Sequence, residues 1–188
     1  MSQLRGTDLK RLHRSWKRTG PPELALVLES VASPWNVGAI VRTAAALGVT
    51  HLYLAGETAS PRSAKTQKTA LGTDRYLRWS MHDDGPSAIA AAQADGYHVV
   101  AVELADESTP MHQLDLRRPV ALLLGHEDRG VTAAALAASD AVGFLPQVGR
   151  VGSLNVATAA SIAMYEARRQ HWTTLQDTPS WGPGSPDD

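Results

Sequence analysis

Residues 24–56 read LALVLESVASPWNVGAIVRTAAALGVTHLYLAG, and this stretch predicts a strand, a helix and a second strand. The apolar run LALVLES is short and uninterrupted, which is typical of a buried strand. The segment VGAIVRTAAALG has the pattern of a helix, and Gly48 is well suited to end it. HLYLAG then predicts the second strand.

The rest of the chain continues this alternation. Further strands are predicted at RYLRW, YHVVAVEL, PVALLLG and AVGFLP. Further helices are predicted at SAIAAAQADG, around TAAALAASD, and from about Ser153 to Gln170. Strands that alternate with helices favour an α/β fold with a mostly parallel sheet and helices on both of its faces. Ligands of such sheets gather at the carboxyl ends of the strands, where Asn36, Glu127 and residues 149–155 are predicted, so we expect one shared site.

The composition restricts the class of protein. With 188 residues, 43% hydrophobic and 20% charged, the chain predicts one globular domain with short extensions. It contains no cysteine, which excludes a disulfide scaffold, a Cys-ligated zinc site and a thiolate nucleophile. No apolar run approaches the ~20 residues that span a bilayer, and the charged N-terminus does not resemble a signal peptide. We therefore expect a cytoplasmic protein without a membrane segment.

The charge is unevenly distributed along the chain. Residues 1–20, here called the basic arm, hold six basic residues and one acidic residue, whereas the rest of the chain is acidic. The cations of the arm are Arg5, Lys10, Arg11, Arg14, Lys17 and Arg18. Leucines and Trp16 recur at helical spacing, so the arm is predicted to be a helix with one apolar face. Its cations predict contact with an anionic partner such as nucleic acid, the alternative being a solvated docking helix.

A second basic stretch includes Lys65 and interleaves its cations with Tyr76 and Trp79. This mixture suits either a nucleic-acid surface or an exposed loop before an edge strand. At the C-terminus, residues 173–188 are rich in Pro, Gly, Ser and Asp and are predicted to be disordered. We therefore divide the chain into the basic arm (1–20), one domain (21–172) and a tail (173–188).

Several common active-site motifs are missing. The chain has neither GxGxxG nor GxxxxGK[ST], which argues against a standard dinucleotide site or P-loop. GxSxG is also absent, so an α/β-hydrolase is not favoured. The seven histidines are scattered without HxH or HExxH, so we predict no metal site.

Two segments that follow predicted strands carry residues able to do chemistry. In NVGAIVRTAAALG, Arg42 lies on an otherwise apolar helix and needs a carboxylate, a phosphate or solvent around it. In LLLGHEDRGV, Gly125 permits close approach to the backbone, and Glu127 can accept hydrogen bonds. Each segment has an ordinary alternative: an arginine that extends from the edge of the core, or a common strand-to-loop exit.

A third segment, LPQVGRVGSLNVATAASIAMYEARRQ, runs from residue 145 to residue 170. Its first half is too rich in glycine to be helical, and Ser153 and Asn155 stand at the predicted start of the long helix. A serine there is also a good helix cap, which is the ordinary explanation for Ser153.

Taken together, the three segments resemble the SpoU (TrmH) family of RNA ribose 2′-O-methyltransferases, which belongs to the knotted SPOUT superfamily. The motifs occur in the same order and at the same spacing, and the resemblance runs from about Leu24 to Gln170. The matching residues are Asn36, Gly38, Arg42, Leu124, Gly125, Glu127, Gly130, Pro146, Gly149, Ser153, Leu154, Asn155, Val156, Ala160, Tyr165 and Glu166.

The resemblance implies a fold and a cofactor. The C-terminal part of the sheet would form a trefoil knot, a topology that general rules do not predict. S-adenosylmethionine, without a metal, would bind in the knotted loops, and the protein would be a homodimer with its active site near the interface. The residues that the resemblance assigns to the cofactor are Val102, Gly125, Leu145, Ser153 and Leu154.

The resemblance also assigns a catalytic set: Arg42, Asn36, Glu127, Ser153 and Asn155. An arginine is a poor base, because its free pKa exceeds ~12. We therefore expect Arg42 to grip an RNA phosphate and polarise the ribose hydroxyl, while the phosphate or water takes the proton. Asn36 and Glu127 are expected to orient Arg42 and its loop, Ser153 to help shape the site, and Asn155 to hold two loops together.

The resemblance further points to the RNA. The basic arm is similar to the N-terminal extension of the tRNA enzymes that methylate a D-loop guanosine, and KTALGTDRYLRW in the second basic stretch resembles the RNA-facing loop region of the same family. The arm and Lys65, which belongs to that second stretch, are therefore predicted to bind RNA phosphates. The short acidic tail departs from the basic C-terminal extension of those enzymes, which leaves ribosomal RNA and the tRNA anticodon loop open. A non-catalytic RNA-binding member of the same fold and a small-molecule methyltransferase are the remaining alternatives.

Overall fold

Parallel strands form one sheet in the computed structural model, which describes residues 3–176 and residue 179. The strand order is β3-β2-β1-β6-β4-β7-β5, and every neighbouring pair is parallel. The strands are β1 (Leu24–Glu29), β2 (His51–Ala55), β3 (Arg78–His82), β4 (His98–Val102), β5 (Thr109–Pro110), β6 (Val120–Leu124) and β7 (Ala141–Phe144). The neighbouring strands β1 and β6 are buried along their whole length.

Helices cover both faces of this sheet. The helices of the described chain are α1 (Gly6–Arg18), α2 (Pro34–Ala46), α3 (Ala64–Ala70), α4 (Gly85–Ala94), α5 (Ala133–Ala138) and α6 (Val156–Trp172). Short 3₁₀ turns occur at Thr73–Tyr76 and Met111–Gln113. Side chains alternate along β1, so that Leu26 joins the core formed with α2 and α6, whereas Val27 joins the core formed with α4 and α5.

The prediction of an α/β fold with helices on both faces is confirmed, and the sheet of the described chain is parallel throughout. Two predicted boundaries were wrong. Helix α6 begins at Val156 rather than Ser153, because Asn155 caps it. Strand β3 begins at Arg78, because residues 73–76 form the 3₁₀ turn. Helix α3 was not predicted, since AKTQKTA lacks an apolar stripe.

The basic arm forms α1, as its leucine spacing predicted, and its end lies against the end of α6. The Trp16 and Trp172 rings meet edge to face with centroids 5.4 Å apart, and Thr19 Oγ1 lies 3.3 Å from His171 Nε2. None of the residues of α1 is fully buried. The arm therefore docks through a few contacts at one end of α6 and leaves most of its surface in solvent.

A buried arginine joins α6 to the end of α2. The Arg168 guanidinium donates to the carbonyl oxygens of Leu47 at 2.8 Å, Gly48 at 2.9 Å and Pro22 at 2.6 Å. Carbonyls at a helix C-terminus lack partners within the helix, and a cation there also complements the helix dipole. Burial lowers the pKa of Arg168. This contact holds the two helices on one side of the sheet in register.

The predicted disorder of residues 173–188 concerns a segment that lies mostly outside the described residues, so it stays a prediction. Across the described part of the chain, no helix combines the length and the apolar character needed to cross a bilayer.

Candidate active site

Three polar side chains meet at the carboxyl edge of the sheet. Asn36 lies in the first turn of α2 after β1, Glu127 follows β6, and Asn155 follows β7. Asn36 Nδ2 donates to Glu127 Oε1 at 2.9 Å, and Asn155 Nδ2 donates to Asn36 Oδ1 at 3.1 Å. We call this hydrogen-bonded chain the Glu127–Asn36–Asn155 network. It uses both ends of the Asn36 amide, so the orientation of that side chain is fully determined.

The Glu127 carboxylate organises the turn that leads into α2. It accepts backbone N–H groups from Ala32 at 3.2 Å and Ser33 at 3.0 Å, in addition to the amide of Asn36. Burial by itself would raise the pKa of Glu127, but these hydrogen bonds favour the ionised form and hold the pKa below its ordinary value. The carboxylate is therefore ionised near neutral pH and ties the loop after β6 to the start of α2.

Asn155 caps α6 and links it to Asn36. Its Oδ1 accepts the N–H groups of Ala157 at 3.0 Å and Thr158 at 3.2 Å, the pattern of a helix N-cap. Ser153 is exposed and does not cap α6, so the ordinary explanation offered for it was wrong. The cap falls on Asn155 because the three residues before Val156 have no helical conformation.

Arg42 lies in the third turn of α2, and its side chain is exposed. Among residues 3–176 and 179, none forms a hydrogen bond or ion pair with its guanidinium. Asn36 and Glu127 therefore do not orient Arg42 by direct contact. They hold the first turn of the helix that carries Arg42.

A cleft of about 400 Å³ opens beside the network. Its walls come from the loops that follow β4, β6 and β7, and Glu127 also borders it. The residues predicted to bind the cofactor all line this cleft: Val102, Gly125, Leu145, Ser153 and Leu154. They come from segments up to about fifty residues apart, and the family resemblance assigned them to the cofactor.

The glycine at position 125 serves the packing of its own loop. A Cβ atom there would overlap with the backbone of Gly130 and Val131. The loop is a tight turn, because the N–H and C=O groups of His126 and Gly130 pair with each other at 2.9 and 3.1 Å. The group that approaches the backbone of Gly125 closely is thus the backbone of Gly130 and Val131.

Glu103 is a cleft residue that was not assigned a role from the sequence. It directly follows β4, and its carboxylate accepts N–H groups from Val131 at 3.0 Å and Leu104 at 3.1 Å. It joins the loop after β4 to the loop after β6. The sequence feature that could have indicated a role for Glu103 is its position immediately after a strong strand pattern. In the described part of the chain, no cluster of three or more His, Asp or Glu side chains could hold a metal ion.

The residues predicted to bind RNA lie on two surfaces. Arg5 precedes α1, and the other arm cations lie on that helix, at the far end of α6 from Asn155. Lys65 lies in the first turn of α3, and its Nζ is 6.0 Å from the ring centroid of Trp35, which directly precedes Asn36. Lys65 thus lies near the start of α2, which carries Asn36, whereas Trp16 and Thr19 of the arm contact the opposite end of α6 from Asn155.

Comparison with known proteins identifies the family. Residues 23–165 match the model of the SpoU rRNA Methylase family. The chain belongs to this family. The matched range includes the whole Glu127–Asn36–Asn155 network and leaves out the basic arm and Arg168.

Relatives of this SpoU family chain include enzymes that act on tRNA and on rRNA. The tRNA (guanosine(18)-2'-O)-methyltransferase of Escherichia coli K12 is 34% identical over 79% of this chain and 64% of that protein. The enzyme of the same name from Thermus thermophilus is 32% identical over 88% of this chain and 85% of that protein. The AdoMet-bound rRNA methyltransferase from Sinorhizobium meliloti is 34% identical, with a TM-score of 0.74 over 81% of this chain and 58% of that chain. The chain thus spans slightly less than two thirds of the E. coli relative.

Proposed function

We propose that this SpoU family chain is an S-adenosylmethionine-dependent RNA methyltransferase that acts on a ribose 2′-hydroxyl, with a D-loop guanosine of tRNA as its substrate. The observation that carries the proposal is the Glu127–Asn36–Asn155 network at the border of the cleft, two turns of α2 from the exposed Arg42. The likeness to the T. thermophilus tRNA enzyme along most of both chains supports the substrate.

The residues of the cleft fit S-adenosylmethionine. A volume of about 400 Å³ is within the range of small-ligand sites. Apolar walls at Val102, Leu145 and Leu154 suit an adenine ring, and the carboxylates of Glu103 and Asp128 suit a sulfonium and an ammonium group. We assign the cofactor to this cleft, with Gly125 and Ser153 also in contact with it. The proposal involves no metal.

The reaction divides between the cofactor and the chain. The cofactor supplies an already activated methyl group on its sulfonium. Arg42 presents a planar fork of N–H donors, which can hold an RNA phosphate and donate to the ribose hydroxyl. A guanidinium does not accept the proton, which passes to a phosphate oxygen or to water. Glu127 and Asn36 keep the start of α2 aligned with the cleft, so that the hydroxyl approaches in a productive orientation.

RNA binding is assigned to the arm cations and to Lys65, which would contact phosphates and supply affinity more than sequence discrimination. A ribosomal RNA is the second candidate substrate, because the matched family and the S. meliloti relative are named for rRNA. We also assign the protein to the cytoplasm, the compartment of both RNAs, and keep the division into arm, domain and tail.

We further propose a trefoil knot and a homodimer. The knot is supported by the strand order, since β7 lies between β4 and β5 although β5 precedes it in the chain. The homodimer is supported by exposed apolar side chains on the loop after β7 and on α6: Val148, Val151, Ile162 and Tyr165. Light scattering on the full chain measures the dimer, and a monomeric mass at micromolar concentration would contradict it.

The experiment that tests the activity follows labelled methyl groups from S-adenosylmethionine to RNA. We expect transfer to an unmodified tRNA transcript and none to a transcript with a 2′-deoxyguanosine at the D-loop site; a ribosomal RNA transcript tests the second candidate. Arg42→Lys keeps the charge and loses the fork, so we expect a loss of about 100-fold or more with unchanged cofactor binding by calorimetry. Absence of transfer to both RNAs would refute the function, and near-full activity of Arg42→Lys would refute the role of the fork.

A further inference from the structure

An exposed tryptophan lies next to the network. Trp35 is the second residue of α2, directly before Asn36, and 61% of its surface is exposed to solvent. An indole left in water at this position contributes little to the core, which is formed by the opposite face of α2 through residues such as Val37 and Ile40. Trp35 is also outside the set of residues that match the family motif. It therefore needs an explanation particular to this chain.

A lysine is held over the indole by the packing of α3 on α2. Lys65 Nζ lies 6.0 Å from the Trp35 ring centroid, within the range of a cation–π contact. Gly38 permits this arrangement, because a Cβ there would come within 2.7 Å of Thr66 O and 2.6 Å of Thr69 Cβ. The indole and the ammonium group are thus set side by side by the backbones of two packed helices.

The same face of α2 carries Arg42. Trp35 and Arg42 are seven residues apart, which is two helical turns and about 10.5 Å along the axis. Both side chains are exposed, so the indole of Trp35 lies on the same surface of α2 as Arg42, which is proposed to hold the reacting nucleotide. An aromatic ring with one cation over it and a second cation two turns further along the helix suits the alternation of base and phosphate along a single RNA strand.

We propose that Trp35 stacks on the base of a nucleotide that neighbours the methylated ribose, while Lys65 contacts the adjoining phosphate. The stacking positions the strand so that the target ribose reaches Arg42 and the cleft. This inference rests on the proposed RNA methyltransferase activity. It makes Trp35 a substrate-binding residue that selects an unpaired, splayed stretch of RNA.

The test compares Trp35→Ala, Trp35→Phe and Met81→Ala, using the transcript that the wild-type protein methylates. Met81 is an exposed apolar residue on the edge strand β3 and serves as the matched control. Loss of one base-stacking contact should weaken RNA binding about 5- to 150-fold in Trp35→Ala. Trp35→Phe should retain most of the affinity, and Met81→Ala and cofactor binding should be unchanged.

An abasic substitution locates the contact. Once the methylated ribose is mapped, transcripts with an abasic site at each neighbouring position are bound to wild-type protein and to Trp35→Ala. At the stacked position, removal of the base should weaken wild-type binding and leave the binding of Trp35→Ala unchanged. Equal affinities of Trp35→Ala and wild-type protein, additive losses at every position, or a changed oligomeric state in Trp35→Ala would overturn the inference. A wild-type protein that methylates no RNA refutes the proposed function instead.

Discussion

Replacement of Asn155 separates two roles that this one side chain combines. Its Oδ1 caps α6 through Ala157 and Thr158, and its Nδ2 donates to Asn36. Loss of an N-cap costs about 1–2 kcal/mol. The partly exposed bond to Asn36 adds about 0.5 kcal/mol, because water can replace it. Asn155→Ala should therefore lower the free energy of unfolding by about 1.5–2.5 kcal/mol, or the thermal midpoint by about 3–10 °C for a chain of this size.

Asn155→Asp keeps the cap and removes the link to Asn36. Aspartate is as good an N-cap as asparagine, and its charge is favourable at a helix N-terminus. However, the aspartate places an oxygen opposite Asn36 Oδ1, so the hydrogen bond loses its donor. Asn36 cannot supply one instead, because its amide nitrogen already donates to Glu127. We expect a thermal midpoint within about 2 °C of the wild type, together with at least about tenfold slower methyl transfer.

Thermal unfolding and single-turnover methylation measured on the same preparations distinguish these outcomes. If Asn155→Asp is destabilised as much as Asn155→Ala, the cap is not the stabilising contribution of this residue. If Asn155→Asp transfers methyl groups at the wild-type rate, the bond to Asn36 is not needed for the reaction.

Three further predictions concern Glu127, Arg168 and the basic arm. The hydrogen bonds of Glu127 lower the pKa of its carboxyl in the folded protein, so the stabilisation by this carboxylate is present at neutral pH and is lost as the pH falls through the lowered pKa. The thermal midpoints of the wild type and Glu127→Gln should therefore differ at pH 7 and converge in acid. A difference that stays constant with pH would contradict the prediction. Arg168→Ala leaves three carbonyls without their donor and should cost about 2–4 kcal/mol in denaturant unfolding, whereas Arg169→Ala, which removes a more exposed pair with Glu166, should cost less than about 1 kcal/mol. The third variant neutralises three exposed arm cations by Lys10→Gln, Arg14→Gln and Lys17→Gln. It should reduce the slope of log affinity for tRNA against log salt concentration by about 2 to 3. An unchanged slope would show that the arm is not part of the RNA interface.

Much of the fold was accessible from the sequence, since apolar runs and helical periodicity are local properties. The exceptions depend on contacts between segments that are distant in the sequence or on the path of a loop. Helix α3 is short and polar, so only its packing on α2 reveals why it forms. Both Ser153 and Asn155 suit an N-cap by residue type, and the choice between them depends on where the loop after β7 ends.

The candidate site was accessible only in part. Strand ends pointed to Asn36, Glu127 and Asn155, but their bonds join residues 91 and 119 positions apart. Trp35 and Glu103 were passed over, because an exposed ring beside a lysine and a carboxylate between two loops acquire meaning only from their neighbours in space.

The amino-acid sequence by itself determined the order of strands and helices, the separation of a basic arm from an acidic body and the motifs of the family, because these depend on residue type and short-range spacing. Only the tertiary structure decided which residue caps α6, that Arg168 joins it to α2, and that Arg42 is free of partners among the described residues. Hydrogen bonds are short and directional, so they exist only where the packing of two helical layers on one sheet brings distant groups within about 3 Å of each other.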